Sequence, residues 1–180
     1  MVCDMTSLRI RLHWLVVVLL LLQYLLKGGM LETMAAVRLG DTPAALDYLI
    51  AQMHLLNGLS IAAIMIWRLI LRHRAGQAAP DALENASTEA MTGLQTGLKK
   101  LAARLATTVH YALYAVLLLL PLSGLAAFYE FPAAAALHHY SQWVLLALLL
   151  CHLAGAAFHV FWLRDGVVGR MFERCKSDGT

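Results

Sequence analysis

Apolar residues gather into four long runs, each long enough for an α-helix that crosses a bilayer, and polar residues cluster between them. The first run starts near Leu8, continues through His13, Trp14 and Leu15, and fades at Lys27, Gly28 and Gly29, which predicts a span over about 8–30. It has no small-residue cleavage site, and Gln23, Tyr24 and Lys27 end it differently from a signal peptide, so it reads as a retained helix. The second follows Asp41, Thr42 and Pro43, residues suited to a cap and a first helical turn, and covers about 44–72. The third covers about 98–129, with Pro121 inside it as an expected kink. After a short turn at Pro132, the fourth covers about 134–163. Residues 74–97, with Gly76, Pro80, Asn85, Ser87 and Thr88, form the long polar connection. The expected fold is an all-α membrane protein, a four-transmembrane-helix bundle forming a single domain over 1–180.

Composition agrees. Of the 180 residues 61% are hydrophobic and 14% charged, about half the charge of a soluble domain. The distribution of Lys and Arg sets the topology. Arg9 and Arg11 precede the first span; Arg68, Arg72, Arg74, Lys99, Lys100 and Arg104 flank the second connection; Arg164, Arg170, Arg174 and Lys176 follow the fourth span. Only Lys27 and Arg38 fall on the opposite side, beside Glu32, Asp41, Asp47 and Glu130. The positive-inside rule makes the basic side, and with it both termini, cytoplasmic. That basic cluster is also suited to anionic lipid head groups.

Histidines inside the apolar runs carry the candidate chemistry. His138 and His152 are fourteen residues apart, so on a helix they share a face and lie about 21 Å apart along the axis, one toward each membrane surface. His54 belongs to the outer half or middle of the second span, and His13 to the cytoplasmic side of the first. Antiparallel packing therefore predicts His54 with His138 at an outer level and His13 with His152 at an inner one. Each pair suits the two axial positions of a haem iron, giving two six-coordinate haems b. With no C-x-x-C-H motif, thioether-linked haem is excluded. His139 faces about 140° away from His152 and reads as a non-ligand, His73 as part of the basic loop, and Cys151 as a small buried apolar residue.

Other residues remain open at this point. His110 competes for the inner haem, or contacts a propionate or a quinone. His159, seven residues after His152, is a quinone partner or an ordinary interfacial histidine. Arg9 and Arg11, with Arg68 and Arg72, suit inner haem propionates. Gly58, Gly124 and Gly155 serve either close porphyrin approach or tight helix packing. Trp14, Trp67, Trp143, Trp162, Tyr111 and Tyr140 read as belt and packing residues. No nucleotide-binding loop, dinucleotide fingerprint, catalytic triad, flavin motif or nucleic-acid module appears.

Taken together, Arg-Ile-Arg-Leu-His13-Trp14, His54 with Gly58 and Arg68-x-x-x-Arg72, His110 with Pro121, and His138, His152 and His159 followed by Phe161-Trp162 make the chain resemble the bacterial cytochrome b561 family over nearly its whole length. The same plan is seen in cytochrome b subunits of formate dehydrogenases and nickel-iron hydrogenases, where the fourth-helix histidines serve both haems. The resemblance implies the ligand pairs His54–His138 and His13–His152, two haems b, and a place in the bacterial inner membrane. It implies electron transfer between a periplasmic donor and ubiquinone, the donor being superoxide in an oxidase-like branch. The alternative is an electron-relay subunit of a larger periplasmic dehydrogenase, hydrogenase or cytochrome c system. Expected partners are ubiquinone, membrane lipids, superoxide or a periplasmic redox protein, and a second copy of the chain, with no nucleic acid.

Overall fold

A computed structural model describes residues 2–78, 93–129, 131–164 and 168–169. Most of the polar connection expected over 74–97 lies outside these residues, as do Arg170, Arg174, Cys175 and Lys176. Among the described residues every regular element is a helix: α1 (Val2–Leu25), α2 (Lys27–Arg38), α3 (Ala45–Ala78), α4 (Gly93–Phe128) and α5 (Pro132–Phe158), followed by a π-helical turn over His159–Leu163. Four of these helices contain apolar stretches long enough to cross a membrane, Ser7–Leu25, Ala45–Arg74, Leu101–Phe128 and Ala133–Trp162.

The long helices run alternately up and down. α1 packs on α3, α3 on α4, and α4 on α5. The upper end of the bundle carries α2 and the tight α4–α5 turn; the lower end carries the start of α1 and the end of α5. Large apolar side chains cover the outside, among them Trp14, Trp67, Trp143 and Trp162, as expected where the surrounding solvent is lipid. Cys151 is also on the outside, which corrects its reading as a buried residue: its position on α5 points away from the face carrying His138, Ser141, Leu145 and His152.

α2 is an element the hydropathy pattern does not reveal. Lys27-Gly28-Gly29 reads as the end of a span, because adjacent glycines weaken a helix. Packing overrides that preference. A β-carbon at Gly29 would stand 2.5 Å from Ile50 Cβ, so only glycine lets α2 lie this close to α3.

The core is a thin apolar layer at mid-height. Val16 of α1, Ile61 and Met65 of α3 and Leu117 of α4 are buried together, with Leu19, Leu20, Ile64, Tyr114, Leu118 and Leu145 packed around them. Leu145 lies seven residues from both His138 and His152. The layer therefore separates an upper histidine level from a lower one.

Candidate cofactor sites at two levels

At the upper level, His54 of α3 and His138 of α5 line one cavity of about 460 Å³, within the range of about 300–1,000 Å³ usual for ligand sites. Gly58, Pro121, Gly124, Phe128 and Gln142 contribute to its walls, and α2 covers one side through Lys27, Met30, Met34 and Arg38. His139, read from sequence as a non-ligand, lines the same cavity.

The His138 ring is held in a defined state. Its Nδ1 lies 2.9 Å from the Leu120 carbonyl and 3.4 Å from Ser123 Oγ. A carbonyl only accepts, so Nδ1 carries the proton and Nε2 keeps its lone pair. Metal-ligating histidines are oriented in this manner, by a donor bond from the other ring nitrogen to a backbone oxygen. The receiving segment, Pro121-Leu122-Ser123-Gly124, is built for the contact. Ser123 donates its hydroxyl to the same Leu120 carbonyl at 3.0 Å, and a β-carbon at Gly124 would meet the His138 ring at 2.9 Å.

His54 is fixed through its backbone. Gln23 Nε2 donates to the His54 carbonyl at 3.1 Å, while Gln23 Oε1 accepts from Asn57 Nδ2 at 2.6 Å. Asn57 Nδ2 also donates to the Leu19 carbonyl at 2.9 Å. This three-point clamp joins α1 to α3 and sets the height of His54. Its polar residues sit inside otherwise apolar spans, where a polar group is a functional signal by default. The sequence contains that signal, but only the packed helices reveal which of these polar residues pair. The His54 Nδ1 is buried without a hydrogen-bond partner among the described residues.

At the lower level three imidazoles converge. The rings of His13 and His152 have centres 6.3 Å apart, and those of His110 and His152 are 5.0 Å apart and nearly perpendicular. A metal–imidazole bond of about 2 Å, with the ring centre about 1 Å behind the bonded nitrogen, puts two opposed ligands about 6 Å apart centre to centre. The His13–His152 separation fits one iron between them; the His110–His152 separation is too short. His110 is also tied to its own helix, its Nδ1 donating to the Ala106 carbonyl at 2.5 Å.

The basic residues expected around this level play different parts. Arg68 is half-buried and within electrostatic reach of both His13 and His152. Arg9 donates from Nη2 to the Leu71 carbonyl at 2.6 Å, closing the lower ends of α1 and α3, while its buried Nε has no partner among the described residues. Arg11 is exposed. Arg72 lies over the Tyr111 ring at 4.6 Å, a cation–π contact between α3 and α4. His159 opens the π-helical turn and, with Val160, Arg164, Val168 and Gly169, lines a separate cavity of about 300 Å³ at the lower end. Among the other glycines, Gly58 lines the upper cavity and faces Gln23, whereas Gly155 has open space beside it.

The residues present fit a haem at each level: at the lower, two imidazoles spaced for one iron; at the upper, two histidines lining one cavity, with glycines in its wall and the His138 tautomer set for Nε2 ligation. No group of three or more His, Cys, Asp or Glu side chains suited to a bare metal ion occurs among the described residues. Comparison with known proteins points the same way. The family model described as prokaryotic cytochrome b561 matches residues 4–174. A protein named cytochrome b562 from Cereibacter sphaeroides is 29% identical over 169 residues, covering 93% of this chain and 94% of its own length. No solved structure gives a significant match.

Proposed function

The chain belongs to the prokaryotic cytochrome b561 family, which makes it a multi-pass membrane cytochrome b that binds haem and transfers electrons, and on that footing we propose a dihaem protein connecting a periplasmic donor with ubiquinone. The observation that carries this reading is the grouping of four intramembrane histidines at two heights. His54 and His138 share the upper cavity and His13 and His152 stand 6.3 Å apart below it, with the apolar layer around Val16, Ile61, Met65 and Leu117 between.

When bound, the haems supply one-electron redox chemistry. The chain's own residues hold, orient and insulate. His54 and His138 would hold the upper haem, and His13 and His152 the lower. Leu120 and Ser123 keep the His138 ring in its ligating tautomer. The apolar layer excludes water between the levels, and Arg68 provides positive charge beside the lower one. With the basic end facing the cytoplasm, the upper site is the periplasmic one. The lower cavity at His159 is the quinone position, with the His159 imidazole in its lining as the proton-exchanging group. Superoxide is the proposed donor: oxidation to dioxygen releases one electron, and two such events with two protons convert ubiquinone to ubiquinol.

Haem stoichiometry by pyridine haemochrome tests the first claim, with two equivalents expected per chain. His54→Ala and His152→Ala should each remove a different haem in low-temperature absorption spectra; two unchanged spectra in both variants would defeat the pairing. Purified protein should then reduce ubiquinone in a superoxide-dependent reaction. Dihaem protein that is inert to superoxide but reduced by a copurifying periplasmic redox protein would replace the donor.

A further inference from the structure

The upper cavity carries a charge imbalance that the histidines do not explain. Its lining includes Lys27 and Arg38 but no Asp or Glu. These are the two basic residues that the sequence places at this end of the molecule, and both converge on one cavity. They are the first and last residues of α2, eleven positions apart, which returns them to one helix face about 16 Å apart along the axis. Met30 and Met34 lie between them on the same stripe and line the same cavity.

Helix stability does not account for Lys27. A cation in the first turn opposes the helix dipole, and that turn contains no acidic residue to offset it. Lys27 is half-buried and Arg38 exposed at the cavity's rim; Lys27 is within electrostatic reach of His54, and neither forms an ion pair among the described residues. A cavity whose described lining carries two cations, one of them half-buried, and no acid is matched by a ligand bearing two anionic groups.

We propose that Lys27 and Arg38 are the carboxylate-binding pair of the upper site, engaging the two propionates of the haem held between His54 and His138. The placement rests on the dihaem reading above. It makes α2 a lid whose two ends carry the counter-charges and whose middle supplies methionine packing. An anion arriving from solution is the other source of the same chemistry, and the test separates the two.

The full-length protein is depleted of haem and reloaded with either haem b or haem dimethyl ester, which has no free carboxylate. Loss from the upper site is followed by transfer to excess apomyoglobin. Lys27→Gln combined with Arg38→Gln should speed haem b loss about tenfold, the worth of one charge-assisted hydrogen bond or more, while leaving ester loss and the lower haem unchanged. Lys27→Arg with Arg38→Lys should retain the parent rate. If the double glutamine variant does not assemble, each single substitution undergoes the same comparison with the same reading. Equal acceleration of haem b and ester, or none of either, overturns the proposal and leaves the cations to a solution anion or to the surface. A parent protein without an upper haem fails the dihaem reading instead; a parent holding haem b and ester equally well fails this proposal alone.

Discussion

Gly124 of α4 and the His138 ring of α5 are in direct apposition: a β-carbon at 124 would stand 2.9 Å from Cε1 and 3.0 Å from Nδ1. The bond from Nδ1 to the Leu120 carbonyl leaves the ring little room to retreat. Gly124→Ala should therefore displace the imidazole, at a cost of about 1–3 kcal/mol for overpacking. One haem spectrum should change or vanish while the other persists. Low-temperature optical spectra and electron paramagnetic resonance of the oxidised protein check this, because g-values follow imidazole orientation.

The three imidazoles at the lower level make a second prediction. His110 stands closer to His152 than two opposed ligands of one iron do. His110→Ala should keep two haems per chain, with at most a shift in the lower haem's spectrum. His13→Ala should lose the lower haem. The reverse result, measured by pyridine haemochrome on both variants, would exchange the roles of these residues.

The clamp of Gln23, Asn57 and the His54 carbonyl predicts a stability effect. Asn57→Leu removes the hydrogen bonds to Gln23 Oε1 and the Leu19 carbonyl. Interhelical hydrogen bonds in membranes are worth about 0.6–1.7 kcal/mol, so a loss of about 1–2 kcal/mol is expected in a reversible detergent-unfolding titration. Asn57→Asp, which retains the size but not the donor, should lose a similar amount. Both variants should move the upper haem's midpoint potential and not the lower one's, since the clamp sets the height of His54.

Leu117 predicts a loss without a change of ligand. It is 5% exposed and central to the apolar layer, so Leu117→Ala should lower stability by about 2–5 kcal/mol. Both haem spectra should survive in the folded fraction, measured after size-exclusion purification.

Much of this arrangement is legible in the residues themselves. The fourteen-residue interval of His138 and His152 and the placement of His13 and His54 in antiparallel runs bring each expected pair to a common level, because depth follows directly from position along a straight helix. Rotation about the helix axis does not follow so simply. The proximity of His110 to His152, the presence of His139 in the upper cavity wall and the outward position of Cys151 depend on how neighbouring helices turn toward one another. α2 was hidden for another reason: its Gly28-Gly29 start reads as a break, and close packing of Gly29 on Ile50 is a tertiary effect. The convergence of Lys27 and Arg38 was hidden with it. Counting charges gave their side of the membrane, but only the helix between them shows that they meet.

The apolar stratum formed by Val16, Ile61, Met65 and Leu117 has a consequence for bioenergetics. None of these four side chains can carry a proton, so in the dihaem reading an electron passing from one histidine level to the other would cross material of low permittivity. Such a transit would be electrogenic. Work is done with or against the voltage, about 2.3 kcal/mol for a full crossing at 100 mV, in proportion to the fraction of the field that falls across this stratum. Turnover in sealed vesicles accordingly becomes a function of membrane polarisation, with inward electron flow slowed by a negative interior and released by an ionophore.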